Sequence, residues 1–114
     1  MTSDAAFARA FERGEIAGAD FHHASHLRLA LAYLEESASA DEAAERMASA
    51  LRRFATAAGH PEKYHHTITL FWMRMVARLL DKDLPLAYYS PGRLWSDAAR
   101  TGWLEPDLQT LDGA

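Results

Sequence analysis

The sequence predicts an all-α domain, a small bundle of about four main helices with a short C-terminal helix. Three observations carry that prediction. Alanine makes up about a fifth of the 114 residues, and it is the strongest intrinsic helix former. Apolar residues recur at helical spacing in several segments. No stretch alternates apolar and polar for long, and β-branched residues are few.

Each helix has recognisable ends. Ser3 can cap a first helix that runs to about Arg13, with Phe7, Ala10 and Phe11 on its inner face; Gly14 ends it. The segment EIAGADF is a connector, and a second helix starts between His22 and Ser25 and runs to about Glu36. Ser39 and Glu42 fit a capping box opening a third helix, whose apolar stripe is Met47, Leu51, Phe54 and Ala58. Gly59 closes that helix, and Pro61 stands where a first helical turn tolerates it. The fourth helix, from about Glu62 to Leu80, is the most hydrophobic and is therefore expected at the centre. After DKDLP the chain turns irregular. Ser96 can cap a short helix, SDAART, ending at Gly102, and Pro106 begins a loose tail. With no repeat, low-complexity tract or linker, residues 1–114 read as a single helical domain.

Composition narrows the function classes. A net charge of −4 with interleaved signs lacks the basic stripe of a nucleic-acid surface. The opening MTSDAAFARAFERGE has neither a basic n-region nor an apolar h-region. TLFWMRMVARLL is interrupted by Arg74 and Arg78, too soon for a membrane span. The absence of cysteine excludes disulfides and thiolate ligands and suits a reducing compartment. A cytoplasmic protein with no nucleic-acid or membrane partner is the expectation. No P-loop, dinucleotide glycine pattern, nucleophile elbow or EF-hand loop occurs, and HxxH here lacks the Glu of HExxH.

The histidines are the informative feature. His22, His23, His26, His60, His65 and His66 all lie at or just before the start of the second or fourth helix. With Arg28 and Glu35 on the polar face, His26 points about 160° and His23 about 220° from Arg28, straddling the buried direction. His65 lies about 180° from Arg74, in line with Thr69, Trp72 and Val76. Short connections make consecutive helices antiparallel, so the second and fourth begin at the same end. His23, His26 and His65 then converge. The positive end of a helix dipole favours the neutral imidazole that a metal requires. A three-histidine set with open positions suits one divalent transition metal, zinc, copper or iron.

The leading expectation is thus a small metal-binding protein, with a metalloenzyme acting on a small molecule as its sharpest form. Other readings compete with it. The same histidines can serve a metal-free module as hydrogen-bonding groups, or a general base, around a small polar ligand or a protein partner. Histidines near helix starts also often just bond exposed backbone. A homodimer through exposed apolar helix faces is a third, purely structural reading. Around the site, Tyr64 and Thr69 are candidate ligand-binding residues, although a helix threonine often bonds back to the preceding turn. His22 or His66 can replace a first-choice ligand after a modest helix rotation. Tyr88, Tyr89, Arg93 and Trp95 form an aromatic and basic cluster, of which Tyr89 and Arg93 are further ligand-binding candidates. About ten extended residues can carry that segment back as a lid, while structural packing is its plainer role.

The segments FHHASHLRLALAYL, YHHTIT and YYSPGRLWS, followed by LEPDL, resemble a group of small bacterial helical proteins without an assigned activity. That group shares F-x-H-x-x-H-L, Y-H-x-T-x-T and a late Y-S-x-x-x-L-F/W-S. The patterns fall here on His23, His26, Leu27, Tyr64, His65, Thr67 and Thr69, then on Tyr89, Ser90, Leu94, Trp95 and Ser96. In the relatives Glu often follows the YH histidine, where this chain has His66. The resemblance implies which residues matter and carries no chemistry.

Overall fold

The computed structural model describes residues 2–111, and among these every regular element is a helix. They fall into two compact units that divide after Ala77. In the first unit, α1 spans Ser3–Glu12, α2 His23–Glu36, α3 Ala40–Ala57 and α4 His66–Leu79, which runs just past the division. Among the described residues no helix is long and apolar enough to cross a membrane.

Local chemistry sets the ends. Thr2, one residue before the expected cap, accepts the Ala5 N–H through its hydroxyl at 3.1 Å. Ser39 accepts the Glu42 N–H at 3.1 Å, and Glu42 reaches back to the Ala38 N–H. That is a capping box shifted by one donor. Gly14 and Gly59 stand at φ +75° and +81°. At Gly59 the His60 N–H bonds the Ala55 carbonyl while Gly59 N–H bonds Thr56, and the same pair of bonds recurs around Gly14. This left-handed termination is a conformation only glycine adopts without strain.

The core is made of small residues. Ala8 of α1, Ala30 and Ala32 of α2, and Ala43, Ala44 and Ala50 of α3 are buried around Leu29, Tyr33 and Met47. Small side chains let the helix axes approach closely, and α1 packs on α2 and α2 on α3. A charged lock joins the same three helices. Glu36 accepts from Arg9 at 2.9 Å and from Arg46 at 3.0 Å, and the buried Tyr33 hydroxyl donates to Glu12.

The fourth helix departs from expectation twice. It does not start near Glu62: Pro61–Lys63 form a 3₁₀ turn, Tyr64 is extended, and the helix restarts at His66. Nor is it central. Only Met73 and Val76 of α4 are buried, while Ile68 and Trp72 stay 51% and 52% exposed. Its hydrophobic residues lie all round the helix, and α1–α3 already bury one another's apolar faces.

In the second unit, a 3₁₀ turn at Leu84–Ala87 leads to α5, Pro91–Leu94, and α6, Asp97–Thr101. Ser96 caps α6 as expected, its hydroxyl accepting the Ala99 N–H at 3.2 Å. The segment just after Pro106, expected to be loose, is held at Asp107 and Leu108. Asp107 accepts both the N–H and the hydroxyl of Ser90, at 2.8 and 2.6 Å. Leu108 N–H bonds the Tyr88 carbonyl at 2.9 Å.

Candidate functional site

A groove of about 730 Å³ opens in the first unit. Its walls follow from the helix periodicity. The α3 stripe of Met47, Leu51, Phe54 and Ala58 forms one side, and Ile68, Trp72, Met73 and Val76 of α4 form another. Leu27 and Ala30 of α2 close the third. Phe21, from the connector after α1, is wedged among aromatic rings, with centroids 4.8 Å from Phe11, 5.1 Å from Phe54 and 4.3 Å from His26. The connector is thereby held in place as part of the groove.

One end of the groove is polar. His22, His23, His26, His60 and His65 all line it, with Lys63, Tyr64 and Thr69. The starts of α2 and α4 therefore open on one space, as antiparallel alternation requires. The rings are not buried: His23, His26 and His65 are exposed, although the helical phase placed them inward. At the first turn of a helix a side chain reaches past the end of the bundle, so an inward direction does not imply cover.

The two best-defined rings have opposite proton placements. His26 Nδ1 lies 3.1 Å from the His22 carbonyl, an acceptor, so Nδ1 carries the proton and donates. The neutral ring then keeps its lone pair on Nε2. His65 Nδ1 accepts the Ile68 N–H at 3.2 Å, which is the side-chain cap of α4. Its neutral ring therefore carries the proton on Nε2.

These bonds account for a correction. Among the described residues, no group of three or more His, Cys, Asp or Glu side chains is arranged to hold a metal ion. The expected three-histidine centre for zinc, copper or iron on His23, His26 and His65 does not form. The rings share a groove without converging on one point, and His65 engages its Nδ1 lone pair in capping a helix rather than offering it to an ion. The same holds for His66, an alternative ligand. Its Nδ1 accepts from Arg52 at 3.1 Å and lies 2.7 Å from the Tyr64 hydroxyl, and it does not line the groove.

The other candidates are placed as follows. Tyr64 lines the groove, with its hydroxyl on His66 and the Arg52 guanidinium 5.1 Å from its ring centroid. Thr69 lines the groove too, and its hydroxyl donates to the His65 carbonyl at 2.7 Å. Thr69 thus makes the back-bond to the preceding turn. Tyr89 and Arg93 belong to the second unit. There the Tyr89 hydroxyl donates to the Leu104 carbonyl and Arg93 Nε to the Glu105 carbonyl, each at 2.7 Å, holding the chain that follows α6.

Sequence reasoning set aside His60 and assigned Phe21 no role. Both had a signal: His60 directly precedes the turn that starts the His65 segment, and Phe21 directly precedes the histidine pair. Leu27 had one in the F-x-H-x-x-H-L pattern, whereas Lys63 carried none, because its place depends on how the 3₁₀ turn presents it. No family model, curated protein or solved structure matches this chain.

Proposed function

We propose that the first unit is a metal-free binding module for a small molecule that lies along the groove, its apolar body on Leu51, Trp72 and Met73 and its polar end at the histidines. The observation that carries this reading is the groove itself: about 730 Å³ with apolar walls and polar groups gathered at one end. Small-molecule sites typically occupy about 300–1,000 Å³ and combine apolar lining with a few polar groups that orient the ligand. Alanines on α2 and α3 leave the space, where larger residues would let the core fill it. Ala30 and Ala55 both line it.

Titration with Nile red, an uncharged apolar dye that brightens out of water, tests the reading. Wild-type protein is expected to bind it saturably at one site. Ala55→Phe, which places a ring on a half-buried part of the wall, is expected to abolish that binding while leaving the helical signal intact. Failure of wild-type protein to bind the dye, or unchanged binding by the variant, would overturn the assignment.

A further inference from the structure

The opposed proton placements at the polar end specify what that end recognises. We infer that the groove selects an uncharged ligand whose polar head offers one hydrogen-bond donor and one acceptor, of which a carboxamide is the simplest, bound between His26 and His65. This inference rests on the groove reading above and names the chemistry of its polar end.

Two backbone bonds set the tautomers. The His22 carbonyl can only accept, so His26 Nδ1 donates and Nε2 remains an acceptor. The Ile68 N–H can only donate, so His65 Nδ1 accepts and Nε2–H remains a donor. Both rings line the groove. The pair of free nitrogens is therefore one acceptor and one donor, held by α2 and by the start of α4. A carboxamide N–H matches the first and its carbonyl matches the second. A carboxylate has only acceptors and would set an oxygen against the His26 lone pair. An ammonium has only donors and would meet the His65 N–H; no Asp or Glu is among the lining residues to compensate it. Lys63 is a cation on the same lining, which makes the carboxylate the analogue that tests the inference hardest. Phe21, tilted against the His26 ring at 4.3 Å, holds the acceptor in position.

The test is displacement of Nile red at pH 8 by 3-phenylpropionamide, 3-phenylpropionate and 3-phenylpropylamine. The amide is expected to bind about ten-fold more tightly than either charged analogue, the cost of one mismatched hydrogen bond. His65→Ser keeps a side-chain oxygen to cap Ile68 and leaves no group long enough to donate where the Nε2–H stood. It is expected to erase the amide's advantage over the charged analogues while the helical signal is unchanged. His26→Leu removes the acceptor, keeps an apolar contact with Phe21, and is expected to do the same. A carboxylate or amine that binds as well as the amide in wild-type protein overturns the inference. So does dye binding that none of the three displaces, with the groove reading intact. If wild-type protein does not bind the dye at all, the groove reading fails and takes the inference with it.

Discussion

Phe21 packs against His26 with 4.3 Å between ring centroids, and the same Phe21 ring meets Phe11 and Phe54. A connector residue thus ties α1, α3 and the first turn of α2 to one wall of the groove. Phe21→Ala would remove these contacts from a half-buried position. It is expected to cost about 2–3 kcal/mol, somewhat below a fully buried Phe→Ala, measured by urea unfolding. Nile red affinity is expected to fall in the same variant, because part of the apolar wall is lost.

Tyr33 links stability to alkaline pH. Burial, and then its hydrogen bond to Glu12, raise the phenol above its ordinary value near 10. A raised folded-state value means that the folded protein holds the proton more tightly than the unfolded chain does. The stabilisation is fully present below about pH 10 and is lost as pH rises towards the raised value. Urea midpoints of the wild type are expected to fall above that pH, whereas Tyr33→Phe shows a flatter profile. At pH 7 the variant is expected to be less stable by about 1.5–3 kcal/mol, the range for a hydrogen bond to a charged group.

Asp107 links the second unit to acid. Its hydrogen bonds from the Ser90 hydroxyl and then the Ser90 N–H hold the carboxyl below its ordinary value. A lowered folded-state value contributes order that is present above the ordinary carboxyl range and lost as pH falls through the folded value. Amide exchange is the readout. Once corrected for intrinsic rates, protection at Ser90 and Leu108 is expected to drop as Asp107 protonates in the wild type. Asp107→Ala is expected to lack that protection at neutral pH.

Gly59 stands at φ +81° with open space where a Cβ would project. Gly59→Ala therefore meets no clash beyond its own backbone. It is expected to lose about 1–2 kcal/mol, the cost of a left-handed non-glycine residue, with the fold and Nile red binding retained.

Zinc is expected to find no stoichiometric site. Calorimetric titration of tag-free protein should give no one-to-one binding that depends on His65, since its Nδ1 accepts from Ile68. Saturating one-to-one zinc binding lost in both His65→Ala and His23→Ala would contradict the corrected geometry.

Much of the architecture was legible in the residues because helix ends are local events. Gly14, Ser39, Gly59 and Ser96 act through bonds to backbone a few positions away, so their chemistry appears in sequence as it does in space. The gathering of His23, His26 and His65 at one groove was legible too, since it needs only helix phase and alternation. What each imidazole does there was not. Whether His65 presents a lone pair or a proton depends on where α4 begins, and the extended Tyr64 moves that start from Glu62 to His66.

The sequence by itself determined the all-helical class, the order of the main helices and the end at which the histidines collect. Each of these follows from short-range periodicity and capping. Only the tertiary structure decided that α4 is half-exposed, that Phe21 becomes a wall, and that Asp107 and Leu108 are bound to Ser90 and Tyr88. Those outcomes depend on which surfaces compete for cover. The alanine-rich faces of α1, α2 and α3 bury one another closely, and the space left beside α4 stays open as the groove.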